Sequence, residues 1–350
     1  MRMRKLACLT AGLVIAALLS GCSAKSKTAE NEVVLQLCWL PQSEFMGFYV
    51  AQEKGYYEQE GLKVTILPGG GDITAAAAVG SGMAQIGITP FTNLMTARAE
   101  GMEFIQVAQV YQHSPMVLVA KKSTGIKSGA DLTATTRVGN WGAGYEYEVL
   151  ALLQKYNLPP VFINQDFTMN AFDSGELDVA SAMVYNELGL VKNSYEGALG
   201  YGDTVNVIDM DSEGVSMTGD TIFTTNKWAT ENRETLVKFL RASVKGWIDA
   251  CSDTDAAADA VFRAGSSVSI EHQRYQASQV ASLVSVNPRG VRIPLEEIGN
   301  IDDEALLQTM EIAKKYVRLA DSQANARFQA LGIDELRTTE YWREAAKDLR

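Results

Sequence analysis

Short apolar runs alternate with helix-period stretches between Val33 and Met183, and the alternation starts over near Arg137. Residues 33–38, 63–67, 86–89 and 104–111, the last running on into 116–120, have the length and β-branched content of strands. Between them, 43–53, 73–81 and 91–100 have helical spacing. A strand opened by 137–139 then restarts the series, followed by helix 145–156, strand 161–164, helix 170–174 and strand 179–183. From Thr224 onward the pattern is mainly helical, over 231–249, 255–264, 270–282 and 302–319. A β-α-β-α order calls for parallel strands with crossover helices on the sheet faces, which makes this an α/β chain. Its 350 residues exceed what one core usually holds, and the restart divides it into two lobes.

The N-terminus bears on the compartment. Arg2, Arg4 and Lys5 precede an uncharged apolar run over 6–19, the layout of an export signal and too short to span a bilayer comfortably. It ends in Leu19-Ser20-Gly21-Cys22, which resembles a bacterial lipoprotein cleavage box. Residues 1–21 are therefore expected to be a signal peptide, Cys22 the lipidated first residue, and polar 22–32 a flexible tether. The expected location is the extracytoplasmic face of the cell membrane, in a periplasm or on the outer cell surface.

Residues 1–21 carry +3 of a formal charge of −11, so the remainder stands at −14, which argues against nucleic acid or an anionic lipid surface as partner. With Cys8 removed and Cys22 lipidated, Cys38 and Cys251 remain and read as free thiols rather than a disulfide. His113 and His272, the only histidines, lie far apart and suggest neither a metal centre nor acid–base catalysis. No motif calls for a cofactor.

Three stretches carry a family resemblance. Cys38-Trp39-Leu40-Pro41-Gln42, then Gly47-Phe48-Tyr49-Val50-Ala51, then Lys54-Gly55-Tyr56-Tyr57 through Gly61-Leu62-Lys63-Val64 form one phrase. Gly82-Met83-Ala84-Gln85-Ile86-Gly87-Ile88 and Gly175-Glu176-Leu177-Asp178-Val179-Ala180 add to it. Together they resemble the ABC-importer binding proteins for thiamine precursors, sulfonates and taurine. The resemblance implies a two-lobed type II periplasmic-binding-protein fold, with a permease and ATPase complex as partners and a small organic ligand. It also implies that 33–120 with 222–350 form lobe one and 121–221 form lobe two, the chain crossing near 121–125 and 219–225.

Ligands of open α/β sheets lie beyond the carboxyl ends of the strands. The loops there are 39–45, 69–73, 89–93, 112–115, 140–146 and 183–187, and they supply the candidate contacts. From the first come Trp39, Gln42 and Phe45; from 89–93 come Thr89 and Asn93; His113 stands alone in its loop. Loop 140–146 offers Asn140, Trp141, Gly142, Tyr145 and Glu146, and the last offers Tyr185, Asn186 and Glu187. Trp39 and Trp141 are expected to face a flat ligand, with Glu146 or Glu187 accepting hydrogen bonds from it and Asn140 and Tyr185 orienting it. The stretch 139–144 reads as a helix N-terminus with free amide donors, since it lacks the lysine of a phosphate loop.

No lysine or arginine occurs in these loops, whereas Glu44, Asp72, Glu146 and Glu187 are acidic. That disfavours a sulfonate and favours a neutral or weakly basic heteroaromatic, a thiamine pyrimidine precursor ahead of riboflavin. The same superfamily includes a thiamine-pyrimidine synthase that works through lysine-bound pyridoxal phosphate, a histidine and a cysteine-rich iron motif. Here Thr89 and Asn93 stand where the lysine and histidine are expected, and 211–221 holds no cysteine. A binding module, not an enzyme, is the expectation.

Overall fold

In a computed structural model, residues 31–70, 73–142 and 144–349 are described. The expected signal peptide, Cys22 and the tether up to residue 30 lie outside them, as do Gly71, Asp72 and Ala143 of the loops singled out above.

The first sheet has five strands: β1 (Glu32–Gln36), β2 (Lys63–Leu67), β3 (Ile86–Pro90), β4 (Phe104–Gln109) and β10 (Asp220–Thr225), in the order β2-β1-β3-β10-β4. β1 is parallel to β2 and β3, but β10 enters antiparallel between β3 and β4. The second sheet is β5 (Met116–Lys121), β8 (Val179–Met183) and β9 (Val205–Asp209), with β5 in the middle and antiparallel to both neighbours. A parallel pair, β6 (Gly139–Asn140) and β7 (Ile163–Asn164), joins β8 through the bridge Val138–Val179.

The parallel-sheet reading thus holds for β1 to β4, which run one way, and for β6 to β8, and misses the reversed strands β5 and β10. The alternation along β5 shows why both faces must be covered: Leu118 and Ala120 join the main core, while Val117 and Val119 face a second cluster with Phe172, Leu177 and Val191. Sequence patterning gave β5 as a continuation of β4. The two strands belong to different sheets, so the chain leaves the first sheet between residues 109 and 116, ahead of the expected crossing at 121–125. It returns between 209 and 220, just before the expected 219–225.

Both ends of the chain build the first lobe. Helix Met46–Glu53 packs against Arg233–Ser252 at Gly47 and Gly246, where a Cβ on Gly246 would lie 2.1 Å from the Gly47 carbonyl oxygen. Only glycine permits that approach. After this helix Gly55 takes φ 69°, as its place in the motif suggests, and buried Tyr57 stacks on Phe239 with centroids 5.6 Å apart. The helix after β2, Ala75–Ser81, is capped by Thr74, whose hydroxyl accepts the Ala77 N–H, rather than starting at exposed Ile73. Cys38 and Cys251 are both free thiols. No helix of the described residues is long and apolar enough to cross a membrane.

Candidate functional site

Where β1 ends, the chain turns through Cys38 and Trp39 into a 3-10 turn, Ser43–Phe45, which aims Glu44 at the seam between the sheets. Asp220, the first residue of β10, points at the same place. The Cys38 Sγ lies 3.8 Å from a Glu44 oxygen and 3.8 Å from an Asp220 oxygen, and both carboxyls are buried. Around them stand Tyr111, whose hydroxyl donates to the Glu44 carbonyl at 3.0 Å, together with Tyr145 and Tyr185.

Burial raises the affinity of Glu44 for its proton well above the ordinary carboxyl value, and the neighbouring Asp220 adds to the effect. Burial also raises Asp220. Two carboxyls in such contact do not both ionise, so the pair shares a proton near neutrality. Burial, then Asp220 and Glu44, keep the Cys38 thiol neutral. The ligating atoms of the three residues all lie within 4.8 Å of one another, close enough to surround one small cation. The expectation of no metal-ligand cluster, drawn from the two histidines, left this trio out.

A narrow cleft opens above the trio, lined by Trp39, Gln42, Glu44, Trp141, Tyr145, Met183, Tyr185, Asn186 and Glu187. Trp39 meets Tyr145 edge-on at 6.4 Å, and Tyr145 meets Trp141 edge-on at 6.4 Å, so the rings form one continuous apolar wall drawn from both lobes. A second narrow cavity shares Tyr145, Met183 and Tyr185 and continues toward Ser114, Glu148, Thr218 and Asp220. Neither lining contains a lysine or arginine.

The structure therefore brings together Trp39, Gln42, Trp141, Tyr145, Tyr185, Asn186 and Glu187 among the residues chosen from sequence. The others lie elsewhere. Phe45 is 1% exposed in the core, because the 3-10 turn sends it away from Glu44. Thr89 is buried in β3 opposite Thr221. Asn93 sits behind Gly144, where a Cβ would lie 1.9 Å from its side-chain oxygen. His113 lines neither cavity, and burial lowers its pKa.

Asn140 is fully buried, and its amide is used within the protein. The side-chain oxygen accepts the Gly142 N–H, while the nitrogen donates to Ser181 Oγ and the Tyr145 carbonyl, so it shapes the loop rather than a ligand. Gly142 provides the left-handed turn, φ 69°, that this loop requires. Glu146 accepts the Gly144 N–H at 2.7 Å, and Glu187 accepts the Met183 N–H and an Asn186 N–H. These two carboxylates are satisfied locally, whereas Glu44 and Asp220, held by Gln42, Tyr185, Cys38 and each other, set two acids side by side at the cleft. Asp220 carried only one local hint, an acid at the head of an apolar strand.

The family described as NMT1/THI5 like matches residues 42–257, and the chain belongs to it. It is 28% identical over 281 residues to the riboflavin-binding protein RibY of Chloroflexus aurantiacus, covering 73% of this chain and 78% of that protein. It is 25% identical over 158 residues to the 4-amino-5-hydroxymethyl-2-methylpyrimidine phosphate synthase of Schizosaccharomyces pombe, covering 45% of this chain and 43% of that enzyme. Among solved structures, the ligand-binding component of an ABC-type import system from Staphylococcus aureus superposes with a TM-score of 0.64. That match has 13% identity and covers 90% of this chain and 99% of the other. The fold is the two-lobed type II fold of periplasmic solute-binding proteins.

Proposed function

We propose that this NMT1/THI5-like chain is the extracytoplasmic solute receptor of an ABC importer, and that its ligand is a flat heteroaromatic with a hydrogen-donating edge. A thiamine pyrimidine precursor comes first. The observation that carries the reading is the cleft itself, walled by aromatic rings from both lobes and floored by Glu44 and Asp220 without a facing cation. A protonated aminopyrimidine presents two parallel N–H donors, which a carboxylate accepts in bidentate fashion, while its ring faces pack on indole and phenol. A sulfonate would bring a second negative charge to this floor.

Riboflavin is the second reading, supported by the similarity to RibY across most of both chains. The pair of carboxyls sharing one proton offers a donor beside an acceptor, which complements the alternating carbonyl and N–H edge of a flavin. We read the chain as a receptor and not an enzyme: Thr89 lies buried where the related synthases are expected to carry their lysine, and neither His113 nor His272 lines the cleft. The Cys22 box supports a lipid anchor and a permease and ATPase complex as partners.

Calorimetric titration of the chain from residue 23 with hydroxymethylpyrimidine, riboflavin and taurine tests the assignment. Aminopyrimidine binding tighter than riboflavin, with no heat from taurine, is the expected order. Taurine as the preferred ligand would overturn it. For the anchor, Cys22→Ala should move the protein from the membrane fraction to the soluble extract with its ligand affinity unchanged.

A further inference from the structure

Helix Ile270–Ser285 comes from the C-terminal part of the first lobe and lies across the seam to the second. Four of its contacts reach over: the Tyr275 hydroxyl donates to the Val184 carbonyl, His272 Nε2 meets the Asn186 carbonyl, Ser269 at its cap donates to Glu196, and Gln276 meets the Asn186 side chain. The last differs from the others because it continues into the ligand cleft on both sides.

Gln276 is fully buried and its amide is completely used. The oxygen accepts the Ser43 N–H at 3.2 Å. The nitrogen donates to Gln42 Oε1 at 3.2 Å and to Asn186 Oδ1 at 2.8 Å. Each of those amides turns its own nitrogen outward onto a carboxylate, Gln42 onto Glu44 at 2.8 Å and Asn186 onto Glu187 at 2.8 Å. The Glu44 and Glu187 oxygens that face these amides accept from them, which fixes the direction of both amides and leaves two carbonyl oxygens facing each other across the seam. A single NH2 group with two hydrogens fills that gap.

We propose that Gln276 is the positioning residue that latches the two lobes and ties their closure to the acceptor state of Glu44. The latch follows from the geometry alone; its link to ligand release rests on the cleft being the ligand site. Opening the lobes separates Gln42 from Asn186 and breaks the relay. Conversely, a change at Glu44 that turns the Gln42 amide round removes the acceptor that Gln276 needs. The fixed polarity separates this role from packing, because an acceptor at position 276 would face two carbonyl oxygens that cannot both turn away from their carboxylates.

Small-angle X-ray scattering of the wild-type chain, Gln276→Leu and Gln276→Glu reads lobe closure directly, without ligand and with saturating hydroxymethylpyrimidine or riboflavin. Thermal melting checks that each variant folds. Where the wild type scatters as the closed form, both variants should shift toward open lobes, Gln276→Glu further than Gln276→Leu although it is the closer match in shape. For a ligand that the wild type binds, stopped-flow release should quicken at least tenfold in Gln276→Leu with association within threefold of wild type. Scattering that is the same in all three proteins, equal opening in the two variants, or a wild type that never closes would each overturn the latch. A wild type that binds none of the panel while the variants open as described would instead remove the ligand assignment and leave the latch standing.

Discussion

At one end of the cleft Glu44 faces Asp220 across the Cys38 thiol; at the other, Glu148 faces only donors. The Glu148 oxygens accept the Met217 N–H at 2.6 Å and the Ser114 hydroxyl at 2.8 Å. Ser114 and Met217 lie in the two segments by which the chain passes between sheets, so this carboxyl pins both crossings to helix Tyr147–Lys155. Glu44 takes donors from Gln42, Tyr185 and the Cys38 thiol but also crowds a second acid, Asp220. The same functional group is therefore structural where it meets donors alone and receptive where a second acid shares its place. Burial perturbs both, so a shifted pKa alone does not mark the ligand site; the hydrogen-bond inventory does.

The sharpest way to break this contrast is to remove one carboxylate from each end. Glu44→Gln should weaken hydroxymethylpyrimidine binding by about 1–3 kcal/mol, the cost of leaving a buried polar group without its partner. Glu148→Gln should leave affinity within about twofold, since that is about 0.4 kcal/mol. Calorimetry on both variants decides it, and an equal loss from each would erase the distinction between the two ends.

The aromatic wall belongs to the receptive end only. Trp141→Ala should lower affinity at least about tenfold, because one stacking ring contributes about 0.5–1.5 kcal/mol beyond its buried area. Its indole N–H bonds the Asp166 carbonyl, so Trp141→Phe, which keeps a ring face, should recover part of the loss. A titration in which Phe binds no better than Ala would place the contribution in the loop rather than the ring.

At the structural end, Ser114→Ala takes one donor from Glu148 and should lower the stability of the chain by about 1 kcal/mol in urea unfolding, with ligand affinity retained. A variant that keeps wild-type stability but loses binding would mean that the hydroxyl serves the ligand.

The same carboxyl also predicts a slope. Burial pushes the Glu148 carboxyl up from 4.5 to about 8, so the folded chain holds that proton more tightly than the unfolded chain does. Its contribution to stability is therefore complete below about pH 4.5 and declines as the pH rises toward 8. Melting temperatures from pH 5 to pH 8.5 should fall more steeply for wild type than for Glu148→Gln, whose side chain does not ionise. Parallel curves would show that Glu148 is not raised and is already ionised at pH 5.

Much of the local architecture was legible in the chain itself. Lys63–Leu67, Asn170–Ser174 and Val179–Met183 have the bounds that periodicity gives, the first two because Pro68 and Gly175 stop them at their ends. The aromatic residues of the cleft were legible too, since Trp39, Trp141 and Tyr185 follow directly on strands. What escaped depends on distant partners. Cys38 and Asp220 are 182 positions apart, and nothing near either residue announces the other. Asn140 and Glu146 looked free in sequence because the donors and acceptors that occupy them, Gly142, Ser181 and Gly144, come from loop geometry and from another strand. Strand β9, Val-Asn-Val-Ile-Asp, is too short and too mixed to stand out without β5 beside it. Gln276 carries no sequence signal: it is an ordinary amide on a helix until the second lobe meets it.

The placement of β10 between β3 and β4 also sets an order of assembly. Those two strands share no ladder, and the strand that fills the slot is made only after the whole second sheet has been synthesised. The first lobe thus closes through contacts remote along the chain, which raises the entropic cost of the step and slows it. A polymer whose largest sheet cannot finish until two-thirds of it has been made remains extended for longer, and an extended chain is the form that a narrow export passage can thread.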